Sequence, residues 1–412
     1  MSVPVSRDLL IINTAAFLRS FTFGLAGVVL GIYLFRVGLS SFNIGMVIAA
    51  GLVGSALATV GVTANADHKG RRRTLVLLSI LGAIGALALA LSPALPVLLL
   101  MAFVGMLNGT GTDRSAAFFL EQAIIPGLVP DASRTWGLAW YNVVLDTAGS
   151  LGALAAAMPL LLQRWLALPL LASYRAVFFG CAFLGVVGAI LYPFLSAAVE
   201  VHKSATEALP RYISPATKKV VTKLAALFSL DAFGGGFLTD SLVAYWFFRR
   251  FGVAEESLGV LFFAVHLLNA ASHLGAAWLA HRIGLVKTMV FTHLPSSLFL
   301  VAAAFAPSLK VAIVLFLCRE ALVEMDVPTR QSYVAAIVLP TERTFASGIA
   351  NLARNIFWAV GSSMAGFLMQ NVAFSAPLVI GGGAKISYDL LLYRAFRKLR
   401  PPEEHSTQSC SG

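Results

Sequence analysis

The chain has 412 residues, of which 58% are hydrophobic and 12% are charged, and it carries a formal net charge of +11. Soluble domains carry about 25% charged residues, so this composition excludes an ordinary soluble protein and favours a helical membrane protein. The basic residues concentrate between and after the apolar runs, which indicates a role in orientation and no nucleic-acid partner. Three scattered cysteines, Cys181, Cys318 and Cys410, predict neither a disulfide framework nor a metal site.

Apolar runs follow one another along the chain, most of them about as long as a helix that crosses the hydrocarbon core. The predicted spans 1 to 12 are Leu9–Phe35, Asn43–Ala64, Thr74–Leu91, Leu95–Glu121, Trp136–Leu162, Ala176–Leu195, Leu224–Phe248, Leu258–Ala280, Thr288–Phe305, a run from Leu309 to Pro328, Phe345–Met369 and Ala373–Leu392. Lys and Arg concentrate on one side of this series, and positive charge in short connections marks the cytoplasmic side. We therefore predict an all-α membrane protein with twelve transmembrane helices and both termini in the cytoplasm. No cleavable signal peptide is expected, because the first apolar run is too long.

A short basic connection, Asp67–Arg73, lies between spans 2 and 3 and carries Lys69 and three arginines. It recurs between spans 8 and 9 as His281–Lys287, 214 residues further along, and several glycines keep the same offset. Such a constant offset indicates a duplicated half, as in many secondary transporters. We predict an N-terminal six-helix half at 1–199, a cytoplasmic linker at 200–223, and a C-terminal six-helix half with a short cytoplasmic tail at 224–412.

The pattern Asp67-x-x-Gly70-Arg71-Arg72 between a second and a third span resembles the signature loop of the major facilitator superfamily of transporters. The resemblance covers nearly the whole chain and implies two pseudo-symmetric six-helix halves that rock about a central site. It also implies that Asp67 lies near the start of span 11, where Arg343 could pair with it. We therefore predict a cytoplasmic gate formed by Asp67, Gly70, Arg71, Arg72 and Arg343. In the alternative, the basic residues only bind anionic headgroups and fix the topology.

Ionisable residues near the middle of the predicted spans are Arg19, Asp146, Asp231, Arg319 and Glu320. An ionisable group at the centre of a membrane helix costs at least about 2.5–3.5 kcal/mol, so each should face a cavity or a partner. The resemblance implies that spans 1, 4, 7 and 10 line the cavity, and all of these residues except Asp146 lie on that set. We predict that they form the substrate or proton-coupling site; structural ion pairs are the alternative. Charged residues towards the cytoplasmic ends of spans 4 and 10 are assigned to the gate instead: Asp113, Arg114, Glu324, Asp326 and Arg330.

Span 7 carries a second local signal, because Gly234–Gly236 follow Asp231 within one turn. Consecutive glycines weaken a helix and can bend it or free carbonyls for a ligand, which makes Asp231 a candidate proton or cation site. The alternative is that the glycines only let a neighbouring helix approach closely. On span 8, His266, Asn269 and His273 share a face, and His266 and Asn269 are added to the predicted substrate or coupling site as hydrogen-bonding residues. We expect no metal there, since no third strong ligand accompanies them.

These features predict a secondary active transporter of a small solute that works by alternating access and is coupled to protons. Drug or metabolite efflux and organic anion transport are the candidate activities. A facilitative uniporter and a lipid scramblase are the alternatives. The sequence contains no Gly–Lys pair of a nucleotide-binding loop and no nucleophile–base or metal motif, so we expect no ATP drive, no enzyme activity, no cofactor and no catalytic residue. We expect a monomer that crosses the plasma membrane several times, with the lipid bilayer, a small molecule and H⁺ as its partners.

Overall fold

The computed structural model describes residues 6–107, 109–113, 115–129, 134–200, 215–327, 329–330 and 343–396; a few side chains within these ranges, including those of Asp67 and Arg343, lie outside the described set. The regular structure of the described ranges is helical. The α-helices are α1 (Arg7–Arg36), α2 (Ser41–Lys69), α3 (Arg71–Leu91), α4 (Leu95–Gly105), α5 (Ala116–Leu128), α6 (Arg134–Leu154), α7 (Met158–Leu166), α8 (Leu170–Leu191), α9 (Pro215–Gly236), α10 (Asp240–Phe251), α11 (Glu255–Ile283), α12 (Leu285–Ala304), α13 (Leu309–Val323), α14 (Arg343–Asn371) and α15 (Ala376–Phe396).

Each predicted span corresponds to one of these helices or to two in succession. Among the described residues, 6 helical segments are long and apolar enough to cross a membrane, and they belong to spans 1, 2, 3, 5, 6 and 9. Span 4 is broken into two shorter apolar helices, α4 and α5. Several of the remaining spans carry buried charges within their apolar faces, as Arg319 and Glu320 do on α13.

The predicted seven-residue connection between spans 2 and 3 is wrong, because helix α2 continues to Lys69 and α3 begins at Arg71. Gly70 alone makes the turn, with φ of +97°, a conformation that costs a glycine little and most other residues much more. The same turn recurs 214 residues later, where Gly284, with φ of +88°, separates α11 from α12. The repeat seen in the sequence is therefore also a repeat in backbone geometry.

The continuous helix predicted for span 4 is also wrong. Helix α4 ends where Met106 adopts a left-handed conformation, with φ of 57°. Gly109 and Gly111 then keep positive φ values of 59° and 76° before α5 begins behind Ser115. Glycines have low helix propensity, so this sequence unwinds where an apolar helix would otherwise continue.

The bend predicted for span 7 is confirmed. Helix α9 ends at Gly236, and α10 begins at Asp240. The alternative hypothesis, that the glycines allow a neighbouring helix to approach closely, also agrees with the structure, since a Cβ atom added at Gly235 would lie 2.3 Å from Trp358 Nε1. The glycines therefore end a helix and admit a neighbouring side chain at the same point.

The chain folds into two compact units. The first contains residues 1–205, 239–266 and 362–374. In this unit α1 and α6 pack at backbone distance, because a Cβ at Gly24 would lie 2.0 Å from Gly149 O and one at Gly152 would lie 2.1 Å from Phe21 O. Its buried core includes Ile12, Ile125 and Leu145, grouped around Tyr141 and Tyr192.

The second unit contains residues 206–238, 267–361 and 375–412. Phe228, Met289, Tyr388 and Leu392 belong to its buried core. Here Gly361 brings α14 close to α9, since a Cβ there would lie 2.3 Å from Phe233 O. Gly152 and Gly361 lie 209 residues apart, on the helices of predicted spans 5 and 11, so each unit uses a glycine for a comparable close contact.

Candidate functional site

Arg19 lies on α1 and forms a buried ionic cluster within the first unit. Its Nε donates to Asp113 Oδ2 at 2.6 Å, and its two terminal nitrogens donate to Glu121 at 3.1 and 2.5 Å. The side chains of both carboxylates are fully buried, at 0% exposure. We call the group formed by Arg19, Asp113, Glu121, Tyr141 and Tyr192 the Arg19 cluster.

The two tyrosines complete the hydrogen bonding of the Arg19 cluster. Tyr141 and Tyr192 each donate to Glu121 at 2.5 Å, one to each carboxylate oxygen. Arg19 in turn donates to Tyr192 Oη at 2.8 Å and to Tyr141 Oη at 3.5 Å. All the guanidinium nitrogens thus already have acceptors, so an anionic solute would have to displace a carboxylate or a tyrosine to bind Arg19.

The break in span 4 brings Asp113 to Arg19. Asp113 lies in the unwound segment just before α5, where its Oδ1 accepts from Ser115 N at 3.0 Å. We expected Asp113 at the gate because a continuous helix would have carried it towards the cytoplasmic end of the span. The structure places it in the Arg19 cluster instead, because the unwound segment holds its carboxylate beside α1.

A mostly apolar cavity adjoins the Arg19 cluster within the first unit. Its lining comes from α1, α3, α8 and the segment around the break in span 4, with Phe23, Leu78, Ala83 and Phe178 among the apolar residues. Arg19 is the charged residue of this lining. The cavity therefore suits an apolar group more than a strongly polar one.

Asp231 lies on α9 at the centre of a second buried cluster, within the second unit. Lys385 Nζ donates to Asp231 Oδ1 at 2.7 Å, and Arg330 Nη1 donates to Asp231 Oδ2 at 3.3 Å. Arg330 also donates to Asp326 at 2.8 Å, while Arg354 Nη2 lies 3.9 Å from Asp231. Asp326 and Arg330 had been assigned to the gate, and the structure places them here instead, because the chain after α13 turns them towards α9.

His293 and Asp389 extend this cluster. His293 Nδ1 lies 2.9 and 3.0 Å from the two carboxylate oxygens of Asp389, and its Nε2 lies 3.4 Å from Lys385 Nζ. The side chains of His293 and Asp389 are 1% and 0% exposed. We call the group formed by Asp231, His293, Asp326, Arg330, Arg354, Lys385 and Asp389 the Asp231 cluster.

The remaining predicted site residues fall in separate places. Arg319 forms an ion pair with Glu320 on α13. With its amide nitrogen turned towards α13, Asn269 donates to Glu320 O at 2.9 Å and Oε2 at 3.2 Å. His266 belongs to the first unit, where its Nε2 lies 3.3 Å from Asp240 Oδ2. Asp146 is half-buried on α6 and is not part of either cluster as described.

At one end of the first unit, the start of α2 contacts α10 and α14. Tyr245 and Ser41 hydrogen-bond at 3.1 Å, and Phe42 N donates to Gln370 Oε1 at 3.2 Å. In addition, Ser241 N donates to Gly109 O at 3.0 Å, which joins the start of α10 to the break in span 4. The contacts of Ser41 and Phe42 lie at the opposite end of α2 from Gly70, about 40 Å away by helix length.

The basic turn after α2 has an acidic partner that the sequence did not indicate. Glu200 accepts from Arg71 N at 2.7 Å and from Arg72 N and Nε at 3.3 and 3.1 Å, so its carboxylate caps the N-terminus of α3. Partial burial raises the pKa of Glu200, but these hydrogen bonds outweigh it and hold the pKa below its ordinary value. The predicted pair Asp67–Arg343 lies outside the described side chains.

Sequence reasoning missed several members of the two clusters: Glu121, Tyr141, Tyr192, His293, Lys385 and Asp389. Lys385 and Asp389 carried a usable signal, since they lie four residues apart in the apolar span 12. The tyrosines carried none, because a tyrosine in an apolar span is ordinary. Within the part of the chain that the structure describes, no three His, Cys, Asp or Glu residues are grouped as metal ligands.

Buried charged residues near helix breaks, in a chain whose sequence carries an internal repeat, are typical of membrane transporters. The sequence profile described as Major Facilitator Superfamily matches residues 12–318 and 232–410, and the chain belongs to this superfamily. It is therefore a membrane transporter, and the predicted fold class is confirmed.

Relatives and solved structures agree with this assignment. The chain is 27% identical to the uncharacterized membrane protein YJR124C of Saccharomyces cerevisiae (strain ATCC 204508 / S288c), over 94% of this chain and 93% of that protein. It resembles a mutant of the nucleoside transporter NupG with a TM-score of 0.75 and 13% identity, over 94% of this chain and 99% of the other. A bacterial homolog of the human lysosomal transporter Spinster, inward-facing and occupied, gives a TM-score of 0.75 and 16% identity, over 95% and 97%. At these identities the solved structures bear on the fold alone.

Proposed function

We propose that the protein is a secondary active transporter that moves a small organic solute by alternating access and couples this movement to protons. The observation that carries the proposal is the presence of a buried ionic cluster in each unit, around Arg19 and around Asp231. Buried charges in membrane helices are costly, so their retention at helix breaks favours a role in the transport cycle. The end of the first unit that is joined through Ser41 and Tyr245 is proposed as one gate of that cycle.

The solute that fits best is lipophilic and carries no negative charge. The cavity beside α1 is mostly apolar, and its charged residue, Arg19, already donates to Asp113 and Glu121. On the second unit Arg319 is likewise paired, with Glu320. An organic anion would therefore compete with buried carboxylates for both arginines, whereas a lipophilic neutral or cationic solute would not.

The proposal is tested by proton flux in proteoliposomes that contain the full chain and a trapped pH-sensitive dye. Lipophilic neutral solutes, lipophilic cations, organic anions and nucleosides are added in turn. We expect members of the first two classes to drive proton movement, and no movement in protein-free vesicles. Asp231→Asn should abolish this flux, and Glu256→Gln, in the first turn of α11 and outside both clusters, is the matched control.

Each contrary result identifies another function. Solute that moves down its own gradient while the dye stays unchanged would make the protein a facilitative uniporter. Exchange of fluorescent lipid between leaflets without solute flux would make it a scramblase. A response to organic anions alone would overturn the solute class and leave proton coupling in place.

We also propose that both termini and the turn at Gly70 face the cytoplasm of a plasma-membrane protein, and that the halves divide at 200–223. The excess of Lys and Arg on that side supports this orientation. Cysteines introduced at Ser41 and Ala66 should then react with an impermeant reagent from opposite sides of the membrane. Labelling of both from the same side would contradict the orientation.

The signature turn is proposed as the cytoplasmic gate, with Asp67 pairing at the start of α14 near Arg343. Helix N-termini favour an anion, by about 0.3–2 kcal/mol when partly buried, which is enough to bias two states of similar energy. Asp67→Asn should therefore slow transport without loss of folded protein. A parental transport rate over the full solute range would leave the turn with a topological role only.

A further inference from the structure

His293 is the histidine of the Asp231 cluster. It lies on α12 and faces α9 and α15 with only 1% of its side chain exposed. On one side its Nδ1 contacts both oxygens of Asp389. On the other its Nε2 lies 3.4 Å from Lys385 Nζ and 3.7 Å from Asp231 Oδ1. The ring thus has a single partner on one side and two competing partners on the other.

With Asp389 ionised, the contacts favour one set of hydrogen positions for a neutral His293. An ionised carboxylate only accepts, so Nδ1 carries the hydrogen and donates it to Asp389. Nε2 then holds a lone pair, which accepts from the Lys385 ammonium. Lys385 donates at the same time to Asp231 at 2.7 Å and so joins the imidazole to that carboxylate.

His293 contacts Asp231, Lys385 and Asp389 directly. Three further charges of the cluster are linked to it through Asp231: Arg330 and Arg354, which lie near Asp231, and Asp326, which pairs with Arg330. Tyr388 packs edge-on to the imidazole with ring centroids 5.9 Å apart, and Glu324 acts electrostatically on Arg330. These six charges balance when His293 is neutral, and imidazole is the side chain type that ordinarily changes charge closest to neutral pH.

A proton on Nε2 would change the partners of Lys385. The new N–H would point at the Lys385 ammonium, so the hydrogen bond between the two residues would be lost. The nearest acceptor on that side is Asp231 Oδ1, which Lys385 already occupies. A protonated His293 and Lys385 would therefore compete for one oxygen of Asp231.

This competition acts at the break in span 7. Asp231 lies less than one turn before Gly234, and α9 ends at Gly236. Gly234 also allows α9 and α15 to pack closely, since a Cβ there would lie 2.9 Å from Gly381 O. A change in the hydrogen-bond partners of Asp231 would therefore act next to Gly234–Gly236, where the helix is least stable.

We propose that His293 binds and releases the coupling proton, and that Asp389 and Lys385 position and tune it. The inference rests on the proposed proton-coupled transport and names the residue that carries it. The N–H bond forms at Nε2 with a proton taken from water on one side of the membrane. The same bond breaks when the proton returns to water on the other side, so nothing else is consumed.

The first test compares His293→Gln with the parental protein in dye-loaded proteoliposomes. The glutamine amide can hydrogen-bond to its neighbours but cannot take up a proton. We expect solute-driven proton flux to fall to the background of protein-free vesicles, while exchange of labelled solute at equal pH on both sides continues. His202→Gln, within the predicted linker, is the matched control and should keep both activities.

The second test uses the pH dependence of solute-driven proton flux in two conservative variants. Asp389→Asn removes a negative charge beside His293, so the profile should move to lower pH by about 1–3 units. Lys385→Met removes a positive charge beside the same ring, so the profile should move to higher pH. Shifts of opposite sign are not expected if the three residues only support the fold.

The outcomes separate this inference from the proposed function. If the parental protein moves solute without protons, proton coupling fails and His293 fails with it. If the parental protein is coupled and His293→Gln remains coupled, His293 alone is excluded and the proposed function stands. Should His293→Gln not fold, profiles of Asp389→Asn and Lys385→Met that shift together or not at all would overturn the inference.

Discussion

The Arg19 cluster and the Asp231 cluster are built on different principles. In the first, one guanidinium and two tyrosines supply donors to Asp113 and Glu121, so the described polar atoms of the cluster have fixed partners. In the second, His293 stands between Asp389 on one side and the pair Lys385 and Asp231 on the other. The contacts of the first cluster therefore describe one arrangement, whereas the proposed protonation of His293 would give the second cluster two.

This difference separates a stabilising role from a switching role. Removing a charge from the Arg19 cluster leaves fully buried carboxylates without a cation and should mainly affect folding. Removing a charge from the Asp231 cluster leaves other charges to compensate and should mainly affect coupling. The following predictions test that distinction, from the largest expected effect to the smallest.

Arg19→Met should cost about 3–5 kcal/mol of stability, because Asp113 and Glu121 would remain buried without their cation. Thermal unfolding of the purified protein in detergent measures the effect as a lower Tm. Adding Asp113→Asn and Glu121→Gln to this variant makes the cluster neutral and should restore part of the loss. If the single variant unfolds at the parental temperature, the Arg19 cluster does not stabilise the first unit.

Asp231→Asn should cost less stability, about 1.5–3 kcal/mol, because Asp326 and Asp389 still neutralise part of the remaining positive charge. Its main effect should be on coupling: a pH gradient would no longer concentrate solute, while exchange at equal pH would persist in part. Uptake of labelled solute into proteoliposomes measures both.

Asp146→Asn and Glu320→Gln serve as comparison variants, since the contacts that define the Asp231 cluster come from other residues. Both should still concentrate solute against a gradient. If Asp231→Asn also concentrates solute against a gradient, the Asp231 cluster stabilises the fold, as the Arg19 cluster does, and has no role in coupling.

Helix packing offers a third comparison between the units. At Gly24 an alanine Cβ would lie 2.0 Å from Gly149 O, in the backbone of α6. At Gly235 it would lie 2.3 Å from Nε1 of the Trp358 side chain. A side chain can change its rotamer more readily than a packed helix backbone can shift. Gly24→Ala should therefore destabilise by about 1–3 kcal/mol and Gly235→Ala by less. Gly180→Ala, with nothing within 4 Å of the added Cβ, is the control. Equal Tm values for the two buried variants would contradict this account.

The fold could be predicted largely from the sequence, because the spacing of apolar runs and the offset of the repeat depend on residue type alone. The break in span 7 was predicted from Gly234–Gly236. The break in span 4 was not, because Gly109 and Gly111 are separated and isolated glycines are tolerated in helices. Because span 4 was predicted as one continuous helix, Asp113 was assigned to its cytoplasmic end and not to the Arg19 cluster.

The clusters were harder to predict, because a buried charge reveals its position along the chain but not its partner. Arg19 and Asp231 were recognised from their depth in apolar spans. Glu121 and His293 were not recognised, because each contacts a partner about 100 positions away in the sequence. His293 also lies in a span that has no other charged residue at its depth. Partner choice is set by packing, which periodicity alone does not encode.

The smallest expected effect concerns Glu200, which caps α3 outside the membrane spans and is partly exposed. Glu200→Gln removes a carboxylate from the N-terminus of α3 and from Arg72, which should lower stability by about 0.3–1 kcal/mol at neutral pH. The folded protein holds the pKa of Glu200 below the usual 4.5, so this contribution is present above pH 4.5 and is lost as the pH falls through the lower folded value. The Tm difference between the parental protein and the variant should therefore be constant at neutral pH, shrink in acid and decrease with added salt. A difference that grows in acid, or one as large as that of Arg19→Met, would mean that burial is not what separates strong ionic contacts from weak ones in this protein.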